Sequence, residues 1–191
     1  MKKISMAVAA GLALLLGNNV MAESTAATPT YVSAALGGAE FDTDCLGAPS
    51  CDKSSTGGRL VGGYELGHGL SAELGYAWFG KAKGSGNGAE LTARASGLTL
   101  GAAYRFEVLP RMELLARAGV IGMRTKVDGS DGAGLSASDS DTKAQFYAGL
   151  GLGCVVAPGL RVELAADFSR AEYETFKADV RLLSLGVRYH F

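Results

Sequence analysis

The chain has 191 residues, of which 19% are charged, and its formal net charge is −1. A charge so close to zero gives no electrostatic reason to expect a nucleic-acid partner. Beyond Ala22, no apolar run approaches the roughly 18 residues that a membrane-spanning helix requires, which excludes a helical membrane protein.

The N-terminus has the layout of a secretory signal peptide. Lys2 and Lys3 precede a mostly apolar run over residues 4–16, and the sequence VMA at 20–22 offers the small or apolar side chains that a signal peptidase reads. The run is too short and too interrupted to be a confident membrane span. We therefore predict that residues 1–22 are a signal peptide and that residues 23–191 form one domain.

Two of the three cysteines are close together in the stretch CLGAPSC. Cys45 and Cys51 lie in a segment rich in Gly, Pro and Asp, and an exported protein meets an oxidising environment. We predict a loop disulfide between them, which would stabilise the fold by about 2 kcal/mol. A metal-binding pair is the alternative, but no nearby His or further Cys completes such a site.

From Tyr31 to the C-terminus, apolar residues recur at every second position, which is the period of a β-strand. The clearest example is Leu70 to Trp78, where Leu, Ala, Leu, Tyr and Trp alternate with Ser, Glu, Gly and Ala. Eight such segments predict eight strands. They lie at about 31–36, 59–66, 70–78, 98–106, 112–123, 148–156, 160–168 and 182–191.

The connections between these segments alternate in length. Tight turns are predicted at 67–69, 108–111 and 157–159, and long polar loops rich in Gly, Ser and Asp at about 40–56, 80–92, 125–142 and 170–179. An even strand count with short turns on one side and long loops on the other is typical of bacterial outer-membrane barrels. Both termini would then lie on the short-turn, periplasmic side.

Alternation alone does not distinguish a membrane barrel from a soluble lipocalin-type barrel, because both have one apolar and one polar face. The chemistry of the two faces does. The polar face is mostly Gly, Ala, Ser and Thr, which suits a narrow lumen, whereas the apolar face has no charge along the middle of the strands. Aromatic residues near both strand ends predict two interfacial girdles. We predict an all-β, eight-stranded antiparallel up-and-down transmembrane β-barrel with its apolar face toward lipid. The girdles are Tyr64, Tyr104, Phe106, Tyr189 and Phe191 at the short-turn end, and Tyr76, Trp78 and Phe168 at the other.

Three stretches, YVSAALGG, GGYELGHGLSAELGYAWFG and LSLGVRYHF, resemble strands of the OmpA-like, opacity-protein and outer-membrane-protein-X type of small eight-stranded barrel. The resemblance covers essentially the whole chain after the signal peptide. It implies an outer-membrane location, and it implies that Tyr189 and Phe191 form the signal read by the barrel assembly machinery. OmpA itself continues into a peptidoglycan-binding domain, whereas this sequence stops at Phe191, so we do not expect peptidoglycan anchoring.

Charged residues on the lumen face fall at similar heights. Glu73 and Glu163 are each the fourth residue of an ascending strand, and Arg117 and Arg188 map to adjacent levels. Charges away from bulk water need partners, so we predict a salt-bridge cluster of these four residues. The alternative is that each is hydrated separately at a wet periplasmic mouth. Lower charged residues are Arg105 and Arg161, with Glu113 and Glu65 near them.

The resemblance also identifies a departure from the family pattern. In OmpA a lumen Glu, matched here by Glu73, pairs with an Arg on the seventh strand, where this chain has Glu163. Glu73 would have to pair with Arg117 or Arg188 instead, and this reversal argues against an inherited gating switch.

No catalytic, cofactor or metal site is predicted. The histidines beyond the signal peptide, His68 and His190, map to the short-turn end, far from the outer rim where a lipid A deacylase or an omptin-like protease acts. The sequence DGSDG at 128–132 lacks the distal Glu and the spacing of a calcium loop, so a solvated loop is favoured over weak divalent-cation binding. Cys154 is predicted as a lipid-facing apolar residue.

The predicted function is a monomeric outer-membrane protein with a structural or surface-interaction role, such as membrane integrity or adhesion, through its extracellular loops. Expected partners are outer-membrane lipid and lipopolysaccharide, the barrel assembly machinery and periplasmic chaperones, and host or surface ligands. The alternatives are a small low-conductance porin and, third, a soluble secreted lipocalin-like binding barrel.

Overall fold

A computed structural model describes residues 29–42, 50–86, 89–130, 136–173 and 176–191, which form nine β-strands. Within these ranges, no helix has the length and hydropathy needed to span a membrane. The strands are β1 (Thr30–Asp42), β2 (Ser50–Asp52), β3 (Ser54–Gly67), β4 (Leu70–Gly86), β5 (Ala89–Leu109), β6 (Met112–Ser130), β7 (Ser136–Ala157), β8 (Leu160–Tyr173) and β9 (Phe176–His190).

The eight long strands close into a barrel. Each pairs antiparallel with the next along the chain, and β9 returns to pair with β1, from Tyr31 opposite His190 to Asp42 opposite Asp179. The predicted eight-stranded antiparallel barrel is therefore confirmed. The three-residue strand β2 was not predicted; it pairs with the distal end of β4, where Ser50 faces Ser85.

The strands are longer than the sequence indicated, and the predicted long loops are wrong as loops over much of their length. β6 and β7 stay paired as far as Ser130 opposite Ser136, and β4 and β5 as far as Gly86 opposite Ala89. These segments are rich in Gly, Ser and Asp, which have low strand propensity. Pairing with the neighbouring arm nevertheless satisfies their backbone hydrogen-bonding groups, and this tertiary effect overrides local propensity.

The outer face of the barrel is apolar around its middle. Leu74, Leu100, Leu150 and Leu185 are each at least 60% exposed there. The residues predicted for the girdle at the short turns are exposed as expected, and Tyr189 and Phe191 make an edge-on ring contact at 5.2 Å between centroids. The other girdle contains the predicted Tyr76, Trp78 and Phe168, and also Phe146, which the sequence analysis had not singled out. Such a face fits a hydrocarbon layer bounded by two interfaces.

Beyond the second girdle, the polarity of the wall inverts. Outward-facing residues there are charged, including Lys81, Arg124 and Arg181, and are exposed. From the level of the girdle outward, the inward-facing residues are apolar and pack as a cluster inside the barrel, because a wall that leaves the hydrocarbon gains by burying apolar side chains away from water. We call this set the apolar cluster: Ala39, Phe41, Ala77, Phe79, Ala95, Ile121, Met123, Ala171, Val180 and Leu182.

The three tight turns share one backbone feature. The residue before each new strand has a positive φ, 80° at Gly69, 73° at Arg111 and 72° at Gly159. Each turn also follows a shift in strand register, as in hairpins closed by a left-handed residue. Arg111 is therefore a side-chain-bearing residue in a conformation that favours glycine.

Replacing Arg111 with Gly should raise the free energy of unfolding by about 1 kcal/mol, because the left-handed strain of a residue with a Cβ is removed. The measurement is urea unfolding of the barrel refolded in lipid vesicles. Arg111→Ala is the control, since it removes the side chain but keeps the Cβ. A gain of the same size in Arg111→Ala would mean that backbone strain is not the cause.

Candidate functional site: the charged lumen

Charged side chains fill the lumen between the short turns and the apolar cluster. They come from six strands, β3, β4, β5, β6, β8 and β9, and all occupy inward-facing positions. We call this set the charge chain: Arg59, Glu73, Arg105, Glu113, Arg117, Arg161, Glu163, Asp167 and Arg188.

The first half of the charge chain crosses from β5 to β3. Arg105 Nη2 lies 2.8 Å from Glu73 Oε1, and the other oxygen of Glu73 lies 4.0 Å from Arg117 Nε. Arg117 Nε is in turn 3.8 Å from Asp167 Oδ1. Arg59 Nη1 donates to both oxygens of Asp167, at 3.2 and 3.0 Å. Positive and negative groups therefore alternate through the interior.

The second half continues from Arg59 to the short-turn end. Arg59 Nη2 lies 3.6 Å from Glu163 Oε2, and Glu163 Oε1 lies 2.9 Å from Arg188 Nη1. Arg188 also contacts Glu113, whose second oxygen is 3.4 Å from Arg161 Nε. Each carboxylate in the chain thus has two arginine neighbours. Such pairing offsets the cost of removing charges from water.

The four residues predicted as a lumen cluster all lie in the charge chain, but their pairing differs in part from the prediction. Glu73 makes its close contact with Arg105, and Arg117 is a more distant second partner. Arg188, the other partner foreseen for Glu73, contacts Glu163 and Glu113 instead. Arg105 lies lower than Glu73, beside the turn where its backbone N–H donates to Gly69 O, but its long side chain reaches up to Glu73. Counting residues from the turns does not include that reach.

Arg59 and Asp167 were missed as members of the cluster, although they join its two halves. Alternation puts both residues on the polar face of their predicted strands, and that parity was the available signal. Their heights depend on the pairing register, in which Arg59 faces Ala77 and Asp167 faces Gly149. A sequence read without pairing partners does not supply that register.

Tyr31 packs among the arginines at the short-turn end. Its ring centroid lies 4.4 Å from Arg105 Cζ and 5.6 Å from Arg188 Cζ, which are cation–π distances. Its hydroxyl donates to Glu73 Oε1 at 2.6 Å and accepts from Arg105 Nη2 at 2.7 Å. The ring therefore bridges the two halves of the charge chain, from Arg105 in the first half to Arg188 in the second.

Inward-facing glycines make room for these large side chains. A Cβ on Gly63 would overlap the ring of Tyr31, and one on Gly149 would overlap Asp167 and crowd Arg117. A Cβ on Gly153 would lie 2.8 Å from Glu113 Cγ. Strand β7 therefore contributes space to the lumen, while its neighbours β6 and β8 contribute charge.

The other predicted sites have different outcomes. Cys45 and the signal peptide lie outside the described residues, and Cys51 is described only as backbone in β2, so the disulfide stays a prediction. Cys154 is exposed on the outer face. Tyr189 and Phe191 lie at the short-turn end, and their role in assembly stays a prediction. Among the described residues, no group of three or more His, Cys, Asp or Glu side chains could hold a metal ion.

A closed eight-stranded barrel with an apolar belt, two aromatic girdles and a charged interior defines a small outer-membrane β-barrel. The family model of the OmpA-like transmembrane domain matches residues 25–191, and the chain belongs to this family. Outer membrane protein A of Shigella flexneri and that of Salmonella typhi are each 26% identical to it over 199 aligned positions. The alignments cover all of this chain but 56% of each relative, so the chain spans about half their length.

Solved structures support the same fold. Neisserial surface protein A aligns with a TM-score of 0.61 at 17% identity, covering 87% of this chain and all of that one. Ail of Yersinia pestis, solved with the heparin analogue sucrose octasulfate, aligns with a TM-score of 0.57 at 19% identity over 84% and 99% of the two chains. The likeness at these identities concerns the fold. Together with the family membership, it places the protein in the bacterial outer membrane.

Replacing Arg188 with Met should lower the free energy of unfolding by about 3–5 kcal/mol, because Glu113 and Glu163 would each lose a partner in a buried site. Arg161→Met is the matched control. Arg161 ends the charge chain and its side chain is 26% exposed, so its loss should cost less than about 1 kcal/mol. Both values come from urea unfolding in lipid vesicles. Equal losses would favour the alternative in which each charge is hydrated separately.

Proposed function

We propose that this protein is a structural and surface-interaction component of the outer membrane, with both termini periplasmic and the long hairpins outside the cell. The observation that carries the proposal is the filled lumen. The charge chain occupies the half near the short turns, and the apolar cluster occupies the half near the long hairpins.

These two fillings lie in series along the barrel axis and oppose permeation for different reasons. An ion crossing the charge chain would have to separate buried pairs such as Arg188 and Glu163, which are almost completely enclosed. The apolar cluster offers a crossing ion no polar partner and excludes water at a narrow constriction. A low-conductance pore is the alternative, and it requires both layers to move together.

The surface-interaction part of the proposal rests on the long hairpins. β6 and β7 continue as a paired hairpin well past the girdle residue Phe146, so their outer arms are held in a defined position. A rigid, charged projection from the membrane can present a constant surface to a ligand. No catalytic role is part of the proposal.

Single-channel recording of the refolded protein in planar bilayers tests the closed lumen. We expect no steady current from the natural sequence. Phe79→Ala combined with Ile121→Ala should also remain closed, because thinning the apolar cluster leaves the charge chain in place. A steady open current from the natural sequence would overturn the proposal in favour of the pore.

A shortened hairpin separates the structural from the interaction role. Asp128 faces Ser138 in the pairing register, so residues 129–137 can be replaced by Asn-Gly, a favoured two-residue turn. In a strain lacking the protein, this variant should restore resistance to detergent as well as the natural sequence does, but not restore attachment to surfaces. If it restores both, the hairpin end has no interaction role. If the strain has neither defect, the proposed function is wrong.

A further inference from the structure

The outer wall of β4, β5 and β6 has a strongly basic region just beyond the second girdle. Lys81 faces Arg94 across β4 and β5, and Arg94 faces Lys126 across β5 and β6. These three cations form one row, and all three side chains are exposed. Two more exposed cations flank the row. We call the set of five the basic face: Lys81, Lys83, Arg94, Arg124 and Lys126.

This arrangement is unfavourable for the isolated barrel. Directly opposite residues of neighbouring strands have their Cβ atoms about 5 Å apart, and like charges in such pairs are destabilising. One carboxylate, Asp128, offsets part of the repulsion, at 3.8 Å from Arg94 Nε and 3.3 Å from Lys126 Nζ. Lys83 faces Asp52 across β4 and β2, so the surplus lies in the row itself. Its three cations outnumber Asp128, and an anionic ligand would neutralise the difference.

The same level on the far side of the barrel is arranged differently. Arg170 Nε lies 2.9 Å from Asp179 Oδ1, and Arg181 Nη2 lies 3.8 Å from Asp42 Oδ2. Arg181 also faces Glu40 across β9 and β1. Charges there are paired with opposite charges, so an accumulation of cations is not a general property of a wall leaving the membrane.

The height of the basic face relative to the girdle indicates which kind of ligand it can bind. Ser96 lies between Trp78 and Arg124 in the register, so the girdle and the first cation are at the same level. Below them, Leu98, Tyr76 and Val120 are exposed on the lipid-facing wall. A ligand bound here would have its anionic groups at the level of lipid headgroups and its apolar part against hydrocarbon-facing residues.

We propose that the basic face binds the phosphate groups of outer-leaflet lipopolysaccharide, with acyl chains of the same molecule lying against the wall below. The row of three cations, with Arg124 beside it, attracts phosphate, and the adjoining apolar wall favours a ligand that also has hydrocarbon chains over a soluble polyanion. The inference goes beyond the proposed function because the site is on the barrel wall rather than at the hairpin ends. Binding itself does not depend on the proposed orientation. Contact with lipopolysaccharide in the outer leaflet of the cell does, because it requires the long hairpins to lie outside.

The test uses Trp78, the single tryptophan of the chain, which adjoins the basic face. The refolded full-length barrel in zwitterionic micelles is titrated with purified lipopolysaccharide while its fluorescence is followed. Lys81→Gln combined with Arg94→Gln should weaken binding at least about tenfold, since each basic residue near an anionic surface contributes independently. The melting temperature without ligand should not fall, because a like-charge contact is removed and Asp128, which loses Arg94, keeps Lys126 as its partner.

Arg170→Gln combined with Arg181→Gln is the matched control, since it removes the same charge from the same level of the far wall. Its affinity for lipopolysaccharide should stay within about twofold of the natural sequence. Equal weakening in both double variants would overturn the site, because binding would then follow net charge alone. Equally tight binding of sucrose octasulfate or of inorganic phosphate would also overturn it, because acyl chains would then contribute nothing.

Micelle titration does not depend on which side of the membrane the hairpins occupy. Protease treatment of whole cells tests the orientation separately, so failure of the lipopolysaccharide site and failure of the proposed function can be told apart. If the barrel binds lipopolysaccharide in micelles but is cleaved only from the periplasm, the binding site stands and the proposed orientation is wrong.

Discussion

Pairing between β1 and β9 is the interaction on which the rest of the structure depends. Hydrocarbon offers no hydrogen-bond partners, so an open sheet edge within the membrane would leave backbone N–H and C=O groups unsatisfied. Closure with eight long strands removes both edges and also sets the diameter of the interior. At that diameter, side chains from opposite walls reach one another, so the lumen becomes a packed region.

The charge chain follows from this narrowness. Inward-facing arginines and carboxylates on separate strands have little water around them, and each is stable there because it has partners of opposite charge. The packing depends on where side chains are absent as well as where they are present. Gly149 admits Arg117 and Asp167, and Gly63 admits the ring of Tyr31, so the glycine-rich strands and the charged residues form one fitted arrangement.

The wall changes its chemistry where its surroundings change. Within the membrane, leucines face outward and charges face inward; beyond the second girdle, Lys81 and Arg181 face outward while Phe79 and Val180 face inward. The hydrophobic effect explains both halves, because in each case apolar side chains turn away from water. Beyond the girdle, charge is also unevenly distributed around the barrel, and this asymmetry is the basis of the proposed lipopolysaccharide site.

The sequence by itself determined the class of fold and the facing of individual residues, because alternation has a period of two and depends on nearest neighbours alone. It identified Leu74 as outward and Glu73, Arg117, Glu163 and Arg188 as inward. Only the tertiary structure decided which charges meet, that Arg59 and Asp167 join the charge chain, and that residues 125–130 are strand. These features depend on pairing register and strand slant, which are properties of two strands together and of the closed barrel.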